Sequence, residues 1–447
     1  MSGFGPLMLQ IAIDSSAPFA IQQNAAIQLK NLVCKNWKFG NHVELNLAMR
    51  FEDDEKIIII SEADKETIRN NIVNAFLLNS NKLIRKQFCE CIKKICKFEL
   101  GDKFAFVIDN IISCFTSGED SKIFAGVIIF YNISKLYSVE SGDYKLPYTK
   151  AFLKLHDFLM NFILTLLDKF ENLEACYIIY KIIKIYFLST QTDLNDFITN
   201  PLNLEKWMKV LLYILGKKYC GDLIKKTTDN TEIKLLEKNL YWKIKIYSMK
   251  IFNIAYYKHS HKSKAKDIKM KEYSNSITNV YAEKFFDMSL NALFSSKDEF
   301  IPDSLGCAIY KFFADLISKS HLISKIEANL ESILKDYVIQ SAFLRKEDIE
   351  LWKHDMKDFI MKEFDVVEWY DSERQGVLKF LRELTNYRRK INKKKEKFPA
   401  YFEVVFKFLV TVLETYENQV KTGHHPDYRI KEATLYLIEN LEEQISK

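Results

Sequence analysis

The segment Ser61–Ile95, SEADKETIRNNIVNAFLLNSNKLIRKQFCECIKKI, decides how the whole chain is read. Ile68, Ile72, Ala75 and Phe76 recur at i, i+4, i+7 and i+8, the spacing of one face of an α-helix. Ser61 with Asp64 predicts a capping box just before that helix. After the polar break Asn79-Ser80-Asn81 the same period returns in Leu83, Ile84, Phe88, Cys91, Ile92 and Ile95. Two amphipathic helices joined by three polar residues predict an antiparallel helical hairpin.

Outward from this hairpin the pattern continues. Apolar helical periods occupy roughly residues 104–114, 122–136, 149–170, 174–188, 204–215, 242–257, 280–294, 305–318, 323–338, 372–385, 400–416 and 429–444. The links are short and polar or carry Pro147, Pro201, Pro302, Pro399 or Pro426. Helix pairs at about 40 residues each match the period of HEAT or armadillo arrays. The expected fold is therefore all-α, a right-handed α–α superhelix. With 12 glycines and 7 prolines in 447 residues, the chain lacks the turn signals of a β-sandwich or barrel. Three segments interrupt the pattern: residues 41–60 with the acidic run Glu52-Asp53-Asp54-Glu55, the lysine-rich stretch 258–271, and the basic stretch 388–397. All three read as loops.

Composition excludes several functions. The net charge of +6, from 65 basic and 59 acidic side chains, is small for this length and does not call for nucleic acid. The basic stretches could hold phosphates or act as a localisation signal, but a solvated loop in a lysine-rich chain is the simpler reading. No run of about 18 uncharged apolar residues spans a membrane, and the short apolar run at Leu7–Ile13 lacks the basic flank of a signal peptide. The chain reads as soluble, intracellular and reduced, with its eight cysteines mostly inside helical patterns. Cys89, Cys91 and Cys96 lack a second ligand pair at zinc spacing and read as packing. His259, His261, His424 and His425 sit in polar links. No phosphate loop, dinucleotide fingerprint, nucleophile elbow or HExxH motif occurs, so the chain reads as a binding protein without cofactor or metal, not an enzyme.

The N-terminal third carries a resemblance. Asn24–Trp37, NAAIQLKNLVCKNW, resembles the second helix of the first HEAT repeat in importin-beta superfamily (karyopherin) nuclear transport receptors. Leu7-Met8-Leu9-Gln10-Ile11 looks like the start of that helix, and the family's first helix, before Leu7, looks missing. Ile60–Lys65 with Ile68–Val73, then Ile84–Phe88 with Cys91–Ile95, are similar to the family's next two conserved segments. Tyr241–Lys245, Glu350–Ile360, Lys362–Val366 and Arg429–Leu441 resemble segments of the importin seven/eight branch. Export receptors of the CAS type share the part around Trp352 and Asp355 but fit the continuation less well. Gly101 and Phe104 stand where the family has proline and tryptophan, and Tyr137–Glu140 departs from the usual tyrosine–glutamate pattern. Family members are about twice as long, so the sequence reads as an N-terminal part or a reduced form.

The resemblance implies a division into residues 1–115, Ran-binding-like repeats without their first helix, and residues 116–447, further repeats of one solenoid. It implies partners: the Ran GTPase in its GTP form, cargo proteins that would be basic (ribosomal proteins or histones), and Phe-Gly nucleoporins, with neither membrane nor direct nucleic-acid binding. It implies shuttling between nucleus and cytoplasm as an import receptor. The alternatives are a CAS-type export receptor and a HEAT scaffold without a transport role. By carry-over, Gln28, Asn31, Lys35, Lys65, Arg69, Arg85 and Gln87 would face Ran.

Overall fold

The computed structural model describes residues 3–38, 58–218, 230–260, 268–364, 372–391, 394–395 and 398–442. The chain forms two compact units, residues 1–197 and 198–447. The division expected at 115/116 falls inside the first unit, in the last turn of the helix Val107–Thr116.

The first unit is four helical hairpins. They are α1 (Phe4–Ile13) with α2 (Phe19–Asn36), α3 (Glu62–Leu78) with α4 (Lys82–Glu99), α5 (Val107–Thr116) with α6 (Asp120–Leu136), and α7 (Leu146–Leu166) with α8 (Leu173–Thr190). The second helices stack in a row, α2 on α4, α4 on α6, α6 on α8, while α1 packs on α3 and α5 on α7. This is the two-layer stacking of a HEAT-type array. Each hairpin buries one apolar stripe per helix, as in Ile68, Ile72 and Phe76 of α3 against Ile84, Phe88 and Ile92 of α4.

Polar residues set the helix starts. Asn81 accepts from the Leu83 and Ile84 amides at 2.8 and 3.5 Å, and Asn172 accepts from Glu174 and Ala175 at 2.8 and 3.0 Å. Ser61 accepts from the Asp64 amide at 3.2 Å, as expected of a cap. The Asp64 carboxylate, however, accepts from the Gly3 amide at 2.9 and 3.1 Å, so it ties the start of α1 to α3. The expectation that the first repeat lacks its first helix is corrected here. The chain breaks at residues 14–18, before α2, and α1 packs on both α2 and α3. Leu7–Ile11 belongs to α1 and does not begin α2. The cause is local: Asp14 folds back on Ser16 through a 2.7 Å side-chain bond, and Pro18 then supplies the extended entry to α2.

The second unit repeats the scheme. Its helices are α9 (Pro201–Gly216), α10 (Asn230–Lys238), α11 (Leu240–Ile254), α12 (Ile268–Asn275), α13 (Ala282–Ser295), α14 (Asp303–Ser318), α15 (Ile323–Ser332), α16 (Ile339–Ser341), α17 (Lys346–His354), α18 (Met356–Phe364), α19 (Glu373–Asn386), α20 (Phe402–Lys421) and α21 (Tyr428–Glu439). Helix α11 packs on α14 and α14 on α19, with α9 and α13 on the other layer. Wider π-helical turns at Ala255–His259, Ser276–Tyr281 and Ile333–Val338 interrupt the long helices. Helices α14 and α19 approach closely at Gly376, where an added Cβ would lie 2.9 Å from the Cys307 Cα.

Helices α17 and α18 lie where periodicity gave no helix. Each has nine residues, too few for a period to register, and Trp352 stacks edge-on to Phe359 across the break at 5.2 Å. Within the basic stretch 388–397, Lys390–Ile391 pairs antiparallel with Lys394–Lys395 in a two-stranded ribbon, the one sheet among the described residues. The acidic run 52–55, residues 261–267 of the stretch 258–271, and Cys220 lie outside the described residues. No described helix is long and apolar enough to cross a membrane.

Candidate partner-binding face

In the first unit, α2 and α4 lie side by side, with α1 and α3 behind them. Helix α2 buries Ala25, Ala26, Leu29, Leu32 and Val33, which turns Gln28 and Lys35 outward; Asn31 between them is half-buried. Helix α4 buries Ile84, Phe88, Cys91, Ile92 and Ile95, leaving Lys86 exposed and Gln87, Glu90, Lys93 and Lys94 half-buried. Glu90 pairs with Lys93 at 2.9 Å. The half-buried thiol of Cys34 faces Lys94, Glu90, Lys30 and Lys93, and desolvation pushes it above the ordinary thiol range. One continuous polar, mostly cationic strip therefore runs over both helices.

The seven residues expected to face Ran divide into two groups. Gln28, Asn31, Lys35 and Gln87 lie on or beside this strip. Lys65 and Arg69 do not, and their assignment to an open surface is corrected. They are 4% and 5% exposed, on α3, and they cover the ring of Trp37 with cation-to-centroid distances of 5.6 and 5.9 Å. Arg69 donates to Glu99 at 3.0 Å and to Glu62 at 2.5 Å, Trp37 Nε1–H donates to Glu99 at 3.0 Å, and Lys103 pairs with Glu62 at 3.0 Å. A buried guanidinium needs such partners, and the two carboxylates hold the Arg69 charge in place, raising its pKa.

Arg85 also serves the fold. Its Nε–H donates to the carbonyls of Phe76 and Asn79 at 3.2 and 2.5 Å, closing the C-terminal turn of α3, and its guanidinium lies over the Phe76 ring at 5.1 Å. Sequence reading missed Glu62 and Glu99. Glu99 lies 30 residues from Arg69 and 62 from Trp37, beyond the reach of any local motif.

Three cysteines of α4 are packing residues. Cys89, Cys91 and Cys96 are buried on α4, and burial pushes the Cys89 thiol up to about 12. A thiol so held is neither nucleophile nor ready ligand at neutral pH. No cluster of three potential metal ligands occurs among the described residues.

Residues 2–77, which contain α1, α2 and nearly all of α3, match the family model described as the importin-beta N-terminal domain. The likeness to the importin-beta superfamily thus covers the first three helices by family model. It is 24% identical over 443 residues to the importin beta-like SAD2 homolog of Arabidopsis thaliana, covering 97% of this chain and 39% of that protein. It is 22% identical to importin-8 of Homo sapiens, covering 99% of this chain and 40% of that one. Among solved structures it is similar to the exportin Cse1 in its cargo-free, cytoplasmic state, with a TM-score of 0.71 and 16% identity, covering 99% of this chain and 43% of that chain. At that identity the likeness establishes the fold: stacked helical hairpins of the karyopherin type. The chain thus spans about two fifths of the length of the relatives it matches.

Proposed function

We propose that this chain is a member of the importin-beta superfamily and acts in nucleocytoplasmic protein transport, binding Ran in its GTP form through the exposed strip of α2 and α4. The observation that carries the reading is the outward placement of Gln28 and Lys35 beside the polar side of α4, within and next to the segment matching the importin-beta N-terminal domain. Residues 1–115 contribute this strip, and the later hairpins offer cargo further stacked surface. Gln28, Asn31, Lys35 and Gln87 make contacts to the GTPase, whereas Lys65, Arg69 and Arg85 keep α2, α3 and α4 in register behind them. Phe-Gly nucleoporins insert aromatic side chains between helices. A cavity of about 530 Å³ at the end of α4 and the start of α7 has the size for that, with Phe98, Leu136, Tyr137, Tyr144 and Pro147 in its walls beside the charged Lys97, Asp102, Glu140 and Asp143. Such contacts give a shuttling protein found in nucleus and cytoplasm.

Binding of the full chain to Ran loaded with GTP, and not with GDP, tests the reading; equal or absent binding in the two states contradicts it. Export is the second reading, favoured by the segment around Trp352 and Asp355 that resembles CAS-type receptors. The sign of the coupling separates the two. Ran-GTP that weakens cargo binding makes the protein an import receptor, and Ran-GTP that strengthens it makes an export receptor.

A further inference from the structure

The cavity between the end of α4 and the start of α7 has a wall of two kinds. Phe98, Leu136 and Pro147 supply apolar surface, whereas Asp102, Glu140 and Asp143 supply three carboxylates against the single ammonium of Lys97. Among the described residues, none of these four charged side chains has a hydrogen-bond or ion-pair partner. Asp102 and Asp143 are exposed and Glu140 is half-buried. The neighbouring Lys145 ammonium is held elsewhere, by the Ser189 and Asp193 carbonyls at 2.9 and 3.2 Å and the Thr192 hydroxyl at 2.7 Å. Lys94 lies 5.5 Å from the Phe98 ring but does not line the cavity.

The backbone adds to this imbalance of charge. Helices α4 and α6 both end at the cavity, α4 through Lys97 and Phe98 and α6 through Leu136, so the negative ends of two helix dipoles lie there. Part of the wall is fixed in place: the Tyr137 hydroxyl donates to the Cys96 carbonyl at 2.9 Å, and its ring stacks on Tyr148 at 5.5 Å. Tyr144, 81% exposed, and Phe98, 44% exposed, leave aromatic surface open to a ligand. We propose that this cavity selects partner segments in which a lysine or arginine stands next to the inserted aromatic side chain. The inference rests on the reading that the cavity seats a nucleoporin phenylalanine, and it adds the charge that accompanies that ring.

The arrangement separates a basic side chain from other charged ligands. A metal ion needs carboxylates that converge on one point, and no group of three potential ligands does so among the described residues. A nucleic acid would bring its phosphates to an anionic rim, and an acidic segment would bring its carboxylates there. A lysine or arginine instead lays its apolar stem along Phe98 or Tyr144 and carries its charge to Asp102, Glu140 or Asp143.

Short peptides carrying one Phe-Gly pair, with benzoylphenylalanine in place of the phenylalanine, test the proposal by photo-cross-linking to the full chain at low salt. Mass spectrometry follows only the cross-links to Phe98, Leu136 and Tyr144, so binding at any other site does not enter. A peptide flanked by lysines should half-saturate this labelling at a concentration about fivefold lower than one flanked by glutamines, because its charges form exposed ion pairs at the rim. Glu140→Gln/Asp143→Asn should abolish that difference and leave the glutamine-flanked peptide unchanged, which also shows that the variant is folded. Lys97→Gln, which removes the opposing charge, should tighten binding of the lysine-flanked peptide. Added salt should weaken the lysine-flanked peptide alone. Equal labelling by the two peptides, or a preference that survives the double variant, overturns the proposal and leaves the aromatic reading standing. Absence of cavity labelling by either peptide overturns both.

Discussion

Glu99→Ala removes the acceptor that joins three helices of the first unit. The substitution leaves the Trp37 indole N–H, on a side chain 1% exposed, without its 3.0 Å partner. An unsatisfied buried donor costs about 1–3 kcal/mol. It also strips Arg69 of its 3.0 Å ion pair, leaving Glu62, whose side chain is more than half exposed. Breaking a buried pair outright costs about 3–5 kcal/mol, and the surviving Glu62 contact reduces that. The two losses share one carboxylate and are not additive, so the net penalty should be about 3 kcal/mol. Amide hydrogen exchange read by mass spectrometry on the full chain localises it, which a global melt of two units would not. Core amides of α2, α3 and α4 should exchange roughly 100-fold faster, since about 1.4 kcal/mol is a factor of ten. Amides of α14 and α19 should not change. Glu99→Gln, which keeps an acceptor for Trp37, should lie between. Unchanged exchange in α2–α4 of Glu99→Ala would refute the idea that this network holds the first two hairpins together.

Other outcomes follow from single contacts. Asp64→Ala should free the start of α1 by about 1–2 kcal/mol, seen as faster exchange in residues 4–13 with α4 unaffected, because the carboxylate accepts from the Gly3 amide. Gly376→Ala should destabilise the second unit by about 1–3 kcal/mol, read as a lower melting temperature, since the new methyl meets backbone of α14 at 2.9 Å. Burial holds the Lys245 ammonium at about 8, below its ordinary 10.5. Between those values the unfolded chain binds more protons at this site than the folded one, so its contribution to stability rises with pH. Lys245→Met lacks that contribution, so its stability relative to the native chain should decline from pH 7 to about 9.5; a difference independent of pH contradicts the burial argument.

The periodic parts of the fold were legible because each helix buries a stripe whose spacing is local. Ile68, Ile72 and Phe76, or Leu378, Leu381 and Leu384, record their own burial in sequence. Helices α17 and α18 were not legible, being too short for a period, and α1 was merged into α2 because the break at Asp14–Pro18 is one turn of chain. The candidate face was half legible. Gln28 and Lys35 point outward because their neighbours Leu29, Leu32 and Val33 are apolar, a pattern visible in the sequence. Lys65 and Arg69 look just as polar, and only the tertiary position of Trp37 and Glu99 shows that they are interior.

Under the proposed function, the exposed strip of α2 and α4 is the surface that meets Ran-GTP. Lysine acetylation by a water-soluble reagent, read residue by residue with and without Ran-GTP, tests it most directly. The account predicts that Lys35, Lys86 and Lys94 become protected while Lys150 and Lys154 on α7 stay reactive. Protection confined to α7, with Lys35 and Lys94 as reactive as before, would contradict it.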